Sequence, residues 1–126
     1  MPTYHVLPTA AHNDLVRKAY LHRGYTADEA DDAVRFCEMA AAHGIRTHNA
    51  IKALHLDELF GSATGGCKPG AEIKVIKKNF AASEAWDAQL KLGQSVAFRA
   101  MEKCMMMELI ATATRMNNAW LLGICQ

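Results

Sequence analysis

An α+β fold, with amino-terminal helices followed by a small strand-helix-strand unit, is what this sequence predicts. Three observations carry that expectation. Apolar residues recur at helical spacing up to about Gly61; a glycine-rich stretch, "GSATGGCKPGA", then breaks the pattern; and a long Ala- and Met-rich segment beyond it is flanked by short runs with β-branched residues. The break divides the chain into a helical segment, 1–61, and a loop with a strand-helix-strand part, 62–126. With 126 residues, 51% hydrophobic and 21% charged, both parts are expected to share one compact domain.

Thr9 is placed to cap a first helix from Ala10 to His22, with Leu15, Val16, Ala19 and Tyr20 as its buried stripe and Gly24 as its stop. "TADE" reads as a capping box between Thr26 and Glu29. The helix it opens carries a narrow face of Ala30, Ala33, Val34, Cys37, Ala40 and Ala41, and Gly44 supplies a left-handed end. A third helix follows "THN", capped by Thr47 or Asn49, and runs through "AIKALHLDELF" to Gly61. "EIKVIKK" reads as an edge or half-buried strand guarded by lysines. The last helix, Leu92 to Glu108, aligns Val96, Ala100, Cys104 and Met107, and further methionines are expected to widen that core face. "LIATAT" has the brevity and branching of a buried strand.

Charge and cysteine usage exclude several functions. A net charge of +1, with basic and acidic residues interspersed, leaves no electrostatic footprint for nucleic acid or an anionic membrane. No apolar run approaches the roughly 20 residues that span a bilayer. Cys37, Cys67, Cys104 and Cys125 are widely spaced and form no CxxC pair, which suits thiols in a cytoplasmic protein better than a disulfide or zinc framework. The six histidines make no HExxH pattern, so no metal site is expected. The glycine-rich stretch lacks both the GK[ST] ending of a phosphate loop and GxGxxG spacing, and reads as a surface loop.

In "HGIRTHNAI", His43 reads as part of a helix end, solvated or capping a carbonyl, whereas His48 sits on a short turn between helices. A histidine there is accessible to substrate, and the neighbouring Thr47 hydroxyl can fix its ring. Read from the residues alone, His48 is either an ordinary exposed loop histidine or a proton-transfer group.

Two amino-terminal helices, the second ending in Gly-Ile and followed by Thr47-His48-Asn49, resemble the Ser-His-Gly segment of the type 2 malate/L-lactate dehydrogenase family, which includes ureidoglycolate dehydrogenase and diketogulonate reductase. "EAWDAQLKLGQSVAFRAMEKCM" and then "RMNNAW" resemble later family segments in the same order, so the likeness runs from about Leu15 to Trp120. The resemblance implies an oxidoreductase using NAD or NADP to interconvert small 2-oxo and 2-hydroxy acids, or related imines and amines, in a fold unlike the usual Rossmann domain. It implies His48 as proton donor and acceptor at the substrate carbonyl, with Thr47 in place of serine. Lys52 stands where the family often has a basic residue to face the substrate carboxylate, and Asn117 and Asn118 lie in a turn implied to touch the cofactor.

Three departures accompany the match. Asn49 replaces the family glycine; "RMNNAWLLGICQ" lacks the family histidine after the strand at residues 109 to 115; and family members are far longer. The expectation is therefore a fragment of such an enzyme, a truncated relative without catalysis, or a noncatalytic helical interaction protein of that ancestry. An uncovered Met-rich helix would favour homo-oligomerisation.

Overall fold

The computed structural model describes residue 3 and residues 5–59, 66–80, 83–107, 111–116 and 119–124; for residues 79, 80, 107, 111–116 and 119–124 it describes the backbone only. Helix α1, Thr9–His22, and helix α2, Ala27–Ala42, pack against each other as a pair. Thr9 is not the cap. Pro8 occupies that position without a side-chain bond, and its carbonyl accepts from the His12 amide at 3.0 Å, so the helix starts one residue earlier. Proline's fixed φ favours that start.

The buried line of α1 is His12, Val16 and Tyr20, spaced by four, while Leu15 is 39% exposed. Across from it α2 buries Ala30, Ala33 and Cys37. Small side chains let the helices approach along a narrow seam, which leaves Leu15 beside the contact rather than within it. The capping box at Thr26 forms: the Thr26 hydroxyl accepts from the Glu29 amide and the Glu29 carboxylate accepts from the Thr26 amide. Both helices end in Schellman turns through left-handed glycines, Gly24 at φ +88° and Gly44 at φ +73°.

Asn49, rather than Thr47, opens the third helix, its side-chain oxygen accepting from the Ile51 amide at 3.0 Å. The helix is not regular. A π-helical turn, Lys52–Leu56, leads into the short α3, Asp57–Leu59. In an α-helix five residues turn about 140° past a full revolution, which would separate Lys52 from Asp57. The wider π turn brings them onto one side, where Lys52 donates to Asp57 Oδ1 at 2.7 Å. The expected stop at Gly61 lies outside the described residues.

The second part is a four-stranded sheet in the order β1-β2-β3-β4: β1, Lys74–Phe80; β2, Ser83–Asp87; β3, Ala111–Met116; and β4, Ala119–Ile124. β1/β2 and β3/β4 are antiparallel, while β2 and β3 pair in parallel across helix α4, Gly93–Met107. The strand-helix-strand unit is thus β2-α4-β3, not one beginning with β1. Strand β1 occupies the sheet edge, with Lys74, Lys77 and Lys78 exposed along it. Val96, Ala100 and Cys104 are buried along α4 as expected. The methionines do not widen that face: Met101 is 38%, Met105 75% and Met106 82% exposed.

A buried ion pair ties the two parts together. Glu29 of the capping box meets Lys91, just before α4, at 2.6 Å, with side chains 1% and 7% exposed. Glu29 also accepts from the Gly70 amide at 2.9 Å, and Lys91 donates to the Ala71 carbonyl at 2.8 Å. Between β2 and α4 a tight turn places Gln89 at φ +51° and Leu90 at φ +63°, closed by the Lys91 amide on the Ala88 carbonyl. The core runs from Val16 and Tyr20 through Ala33 and Cys37 to Ala53 and Leu92. Among the described residues no helix is long and apolar enough to cross a membrane.

Candidate active site

The Gly44 stop throws the chain into a turn, and its far end carries Thr47, His48 and Asn49. Thr47 Oγ1 lies 2.7 Å from His48 Nδ1. A hydroxyl can donate or accept there, so one contact serves both protonation states: it accepts from Nδ1–H or donates to a bare Nδ1, and Nε2 stays available in each case. The His48 ring is exposed and packs edge-on against Phe36, with centroids 6.0 Å apart.

Beside it lies an open groove of about 310 Å³, walled by Phe36, Met39 and Ile45 with Phe98 of α4 opposite. His43 also borders the groove, but its Nδ1 donates to the Met39 carbonyl at 2.7 Å and closes the end of α2. The two histidines of the turn region therefore differ: one caps a helix, and the other has a ring held at one nitrogen and open at the second.

Lys52 begins the next helical turn and faces Phe36 as well, its ammonium 6.0 Å from the ring centroid. It is not an unaccompanied cation. Lys52 Nζ donates to Asp57 Oδ1 at 2.7 Å and to the Tyr20 hydroxyl at 3.2 Å. Tyr20 in turn donates to Asp57 Oδ2 and accepts from Gln94 Nε2 at 3.3 Å. Asp57 is 2% exposed at its side chain and Lys52 17%, so the cluster is a nearly dry, charge-balanced knot. Burial first, and then the Asp57 charge and hydrogen bond, raise the Tyr20 phenol far above its ordinary value, so it serves as a donor and not as an acid. Burial also pushes the Cys37 thiol up to about 11, and it stays protonated.

Of the residues expected to carry function, Thr47 and His48 touch directly, Lys52 shares Phe36 with His48, and Asn117 and Asn118 lie outside the described residues. Sequence reasoning missed Tyr20, Asp57 and Gln94, which belong to no motif. It also missed His12, though its spacing of four and eight residues from Val16 and Tyr20 was a signal for burial. As for a dinucleotide, the groove's walls suit a flat ring, but among the described residues no arginine or lysine lines it. The residues that line this groove do not by themselves fit the diphosphate half of NAD or NADP.

The class that this arrangement defines is an α+β fold, helices first and a mixed sheet after. In particular, the chain is similar to the solved malate dehydrogenase from Pyrococcus horikoshii OT3, with a TM-score of 0.70 and 19% sequence identity over 88% of this chain. The likeness spans 32% of that protein's chain and is one of fold. No protein-family model matches the sequence, and no curated protein does.

Proposed function

We propose that this chain carries the proton-transfer part of an NAD- or NADP-dependent oxidoreductase that interconverts small 2-oxo and 2-hydroxy acids. The observation that carries the reading is the His48 imidazole, held by Thr47 at one nitrogen and open at the other, at the mouth of an apolar groove. The fold likeness to a malate dehydrogenase supports it. As a carbonyl is reduced its oxygen gains negative charge, and an imidazolium Nε2–H within hydrogen-bond reach neutralises it by donating the proton. In the oxidative direction the neutral ring takes the hydroxyl proton back. Lys52, which shares Phe36 with His48, is proposed to meet the substrate carboxylate, and Asn117 and Asn118 are proposed to touch the cofactor.

The test is titration of the protein with pyruvate or oxaloacetate, following the His48 ring signals by NMR, together with NADH and NADPH oxidation by absorbance. His48 signals should shift saturably with either acid, and His48→Ala should abolish any turnover while the circular dichroism spectrum stays unchanged. A His48 ring indifferent to both acids, in a protein that oxidises neither cofactor, overturns the reading.

One observation favours a second reading, a noncatalytic oligomerisation protein of the same ancestry: Met105 and Met106 are 75% and 82% exposed on α4. Light scattering after size exclusion separates the two, since a strict monomer removes this alternative.

A further inference from the structure

A hydrogen bond from a side chain outside it anchors the His48 turn, and that side chain has no place in the sequence motif. His12, on α1, is 9% exposed, and its Nε2 accepts a hydrogen bond from the Ala50 amide at 3.0 Å. Ala50 stands two residues after His48 and begins the third helix, where first-turn amides have no partner within the helix. A backbone N–H only donates. Nε2 must therefore carry a lone pair, which leaves the ring proton on Nδ1.

The rest of the contact chain agrees with that assignment. His12 Nδ1 lies 2.9 Å from Asn13 Oδ1 and donates to it, and Asn13 Nδ2 donates to Glu38 Oε2 on α2 at 2.8 Å. Each link has one donor and one acceptor in a single direction, from Ala50 through His12 and Asn13 to Glu38. A ring protonated at both nitrogens can make the Asn13 bond but not the Ala50 bond. The opposite neutral tautomer can make neither.

We infer that His12 is a positioning residue for His48: its neutral Nε2, kept an acceptor by Asn13 and Glu38, pins the Ala50 amide and so fixes the turn that aims His48 at the groove. This inference rests on the proton-transfer reading of His48, but its readouts do not need substrate. Side-chain nitrogen spectra of the labelled protein should show His12 protonated at Nδ1 and bare at Nε2. In His12→Leu the Ala50 amide should exchange with solvent on the order of tenfold faster, the loss of one buried hydrogen bond, and the His48 ring signals should move.

His12→Gln supplies an oxygen at similar reach and should restore both the protection and the His48 signals. A His12 ring protonated at Nε2 overturns the inference, as does a His12→Leu protein in which only global stability falls while the Ala50 amide and the His48 ring stay as in the wild type. If His12→Leu does not fold, the tautomer and the Gln variant decide, and unprotected Ala50 in His12→Gln counts against it. An indifferent response to oxaloacetate with these readouts intact overturns the function of His48 and leaves the positioning role standing.

Discussion

Replacing Lys91 by Met tests whether the Glu29–Lys91 pair is the strut that its burial implies. The methionine preserves most of the lysine stem, so the change removes a charge rather than a volume. Glu29 would keep the Thr26 amide at 3.1 Å and the Gly70 amide at 2.9 Å but lose the ammonium at 2.6 Å, on a side chain only 1% exposed. An uncompensated buried carboxylate costs about 3–5 kcal/mol, a large part of the roughly 5–15 kcal/mol that holds a domain of ordinary stability. Urea unfolding followed by circular dichroism at neutral pH should show that loss, and Glu29→Gln/Lys91→Met should recover much of it.

The pH dependence adds a second check. Burial pushes the Glu29 carboxyl up, but the Lys91 ammonium and the Gly70 and Thr26 amides outweigh it and hold the group below its ordinary 4.5. A folded value below the unfolded one gives stability that is complete above about 4.5 and lost as pH falls through the folded value. Without Lys91 two of the causes that lower the group are lost, so the folded value is higher in Lys91→Met and the gap between it and the wild type should narrow as the solution is acidified toward the wild-type folded value. A penalty under about 1 kcal/mol, the worth of an exposed pair, or a gap independent of pH, would mean that the pair is not a buried strut.

Two further outcomes are expected. Leu90→Gly relieves a branched residue held at φ +63°; the left-handed cost of about 1–2 kcal/mol, less about 0.5–1 kcal/mol for glycine's added freedom when unfolded, leaves a gain of up to about 1.5 kcal/mol, visible as a higher Tm. Asp57→Asn leaves Lys52 without its counter-charge: stability should fall by about 3–5 kcal/mol in denaturant melts, while oxaloacetate binds several-fold more tightly in an NMR titration if that ammonium meets the substrate carboxylate. Unchanged affinity would confine Lys52 to a structural role.

What was legible in the sequence was whatever depends on neighbours along the chain. The Thr26–Glu29 box, the stops at Gly24 and Gly44 and the buried line of Val96, Ala100 and Cys104 all follow from local spacing. β2 escaped because Ser83–Asp87 is five residues long and carries no β-branched side chain; it becomes a strand by pairing with β1 and β3. The π turn escaped because the Lys52–Asp57 pair it brings together is completed by Tyr20 from another helix. His48 was found because the turn is local, but the side chains that hold the turn were not.

Those side chains share one face of α1. His12 and Tyr20 are eight residues apart, about 12 Å along a helix, and they grip the two ends of the third helix: His12 at Ala50, and Tyr20 at Asp57, seven residues on. Matching separations on the two segments mean that the third helix lies along α1 and is fixed at both ends by buried hydrogen bonds. His48 leads into the first anchor, and Lys52 stands between the two. Phe36 of α2 touches both of them. A shift of α1 along its axis would therefore displace the imidazole and the ammonium together, conserving their spacing. Contacts spanning 37 and 38 residues do this work, so no reading of "THNAIK" by itself could have located it.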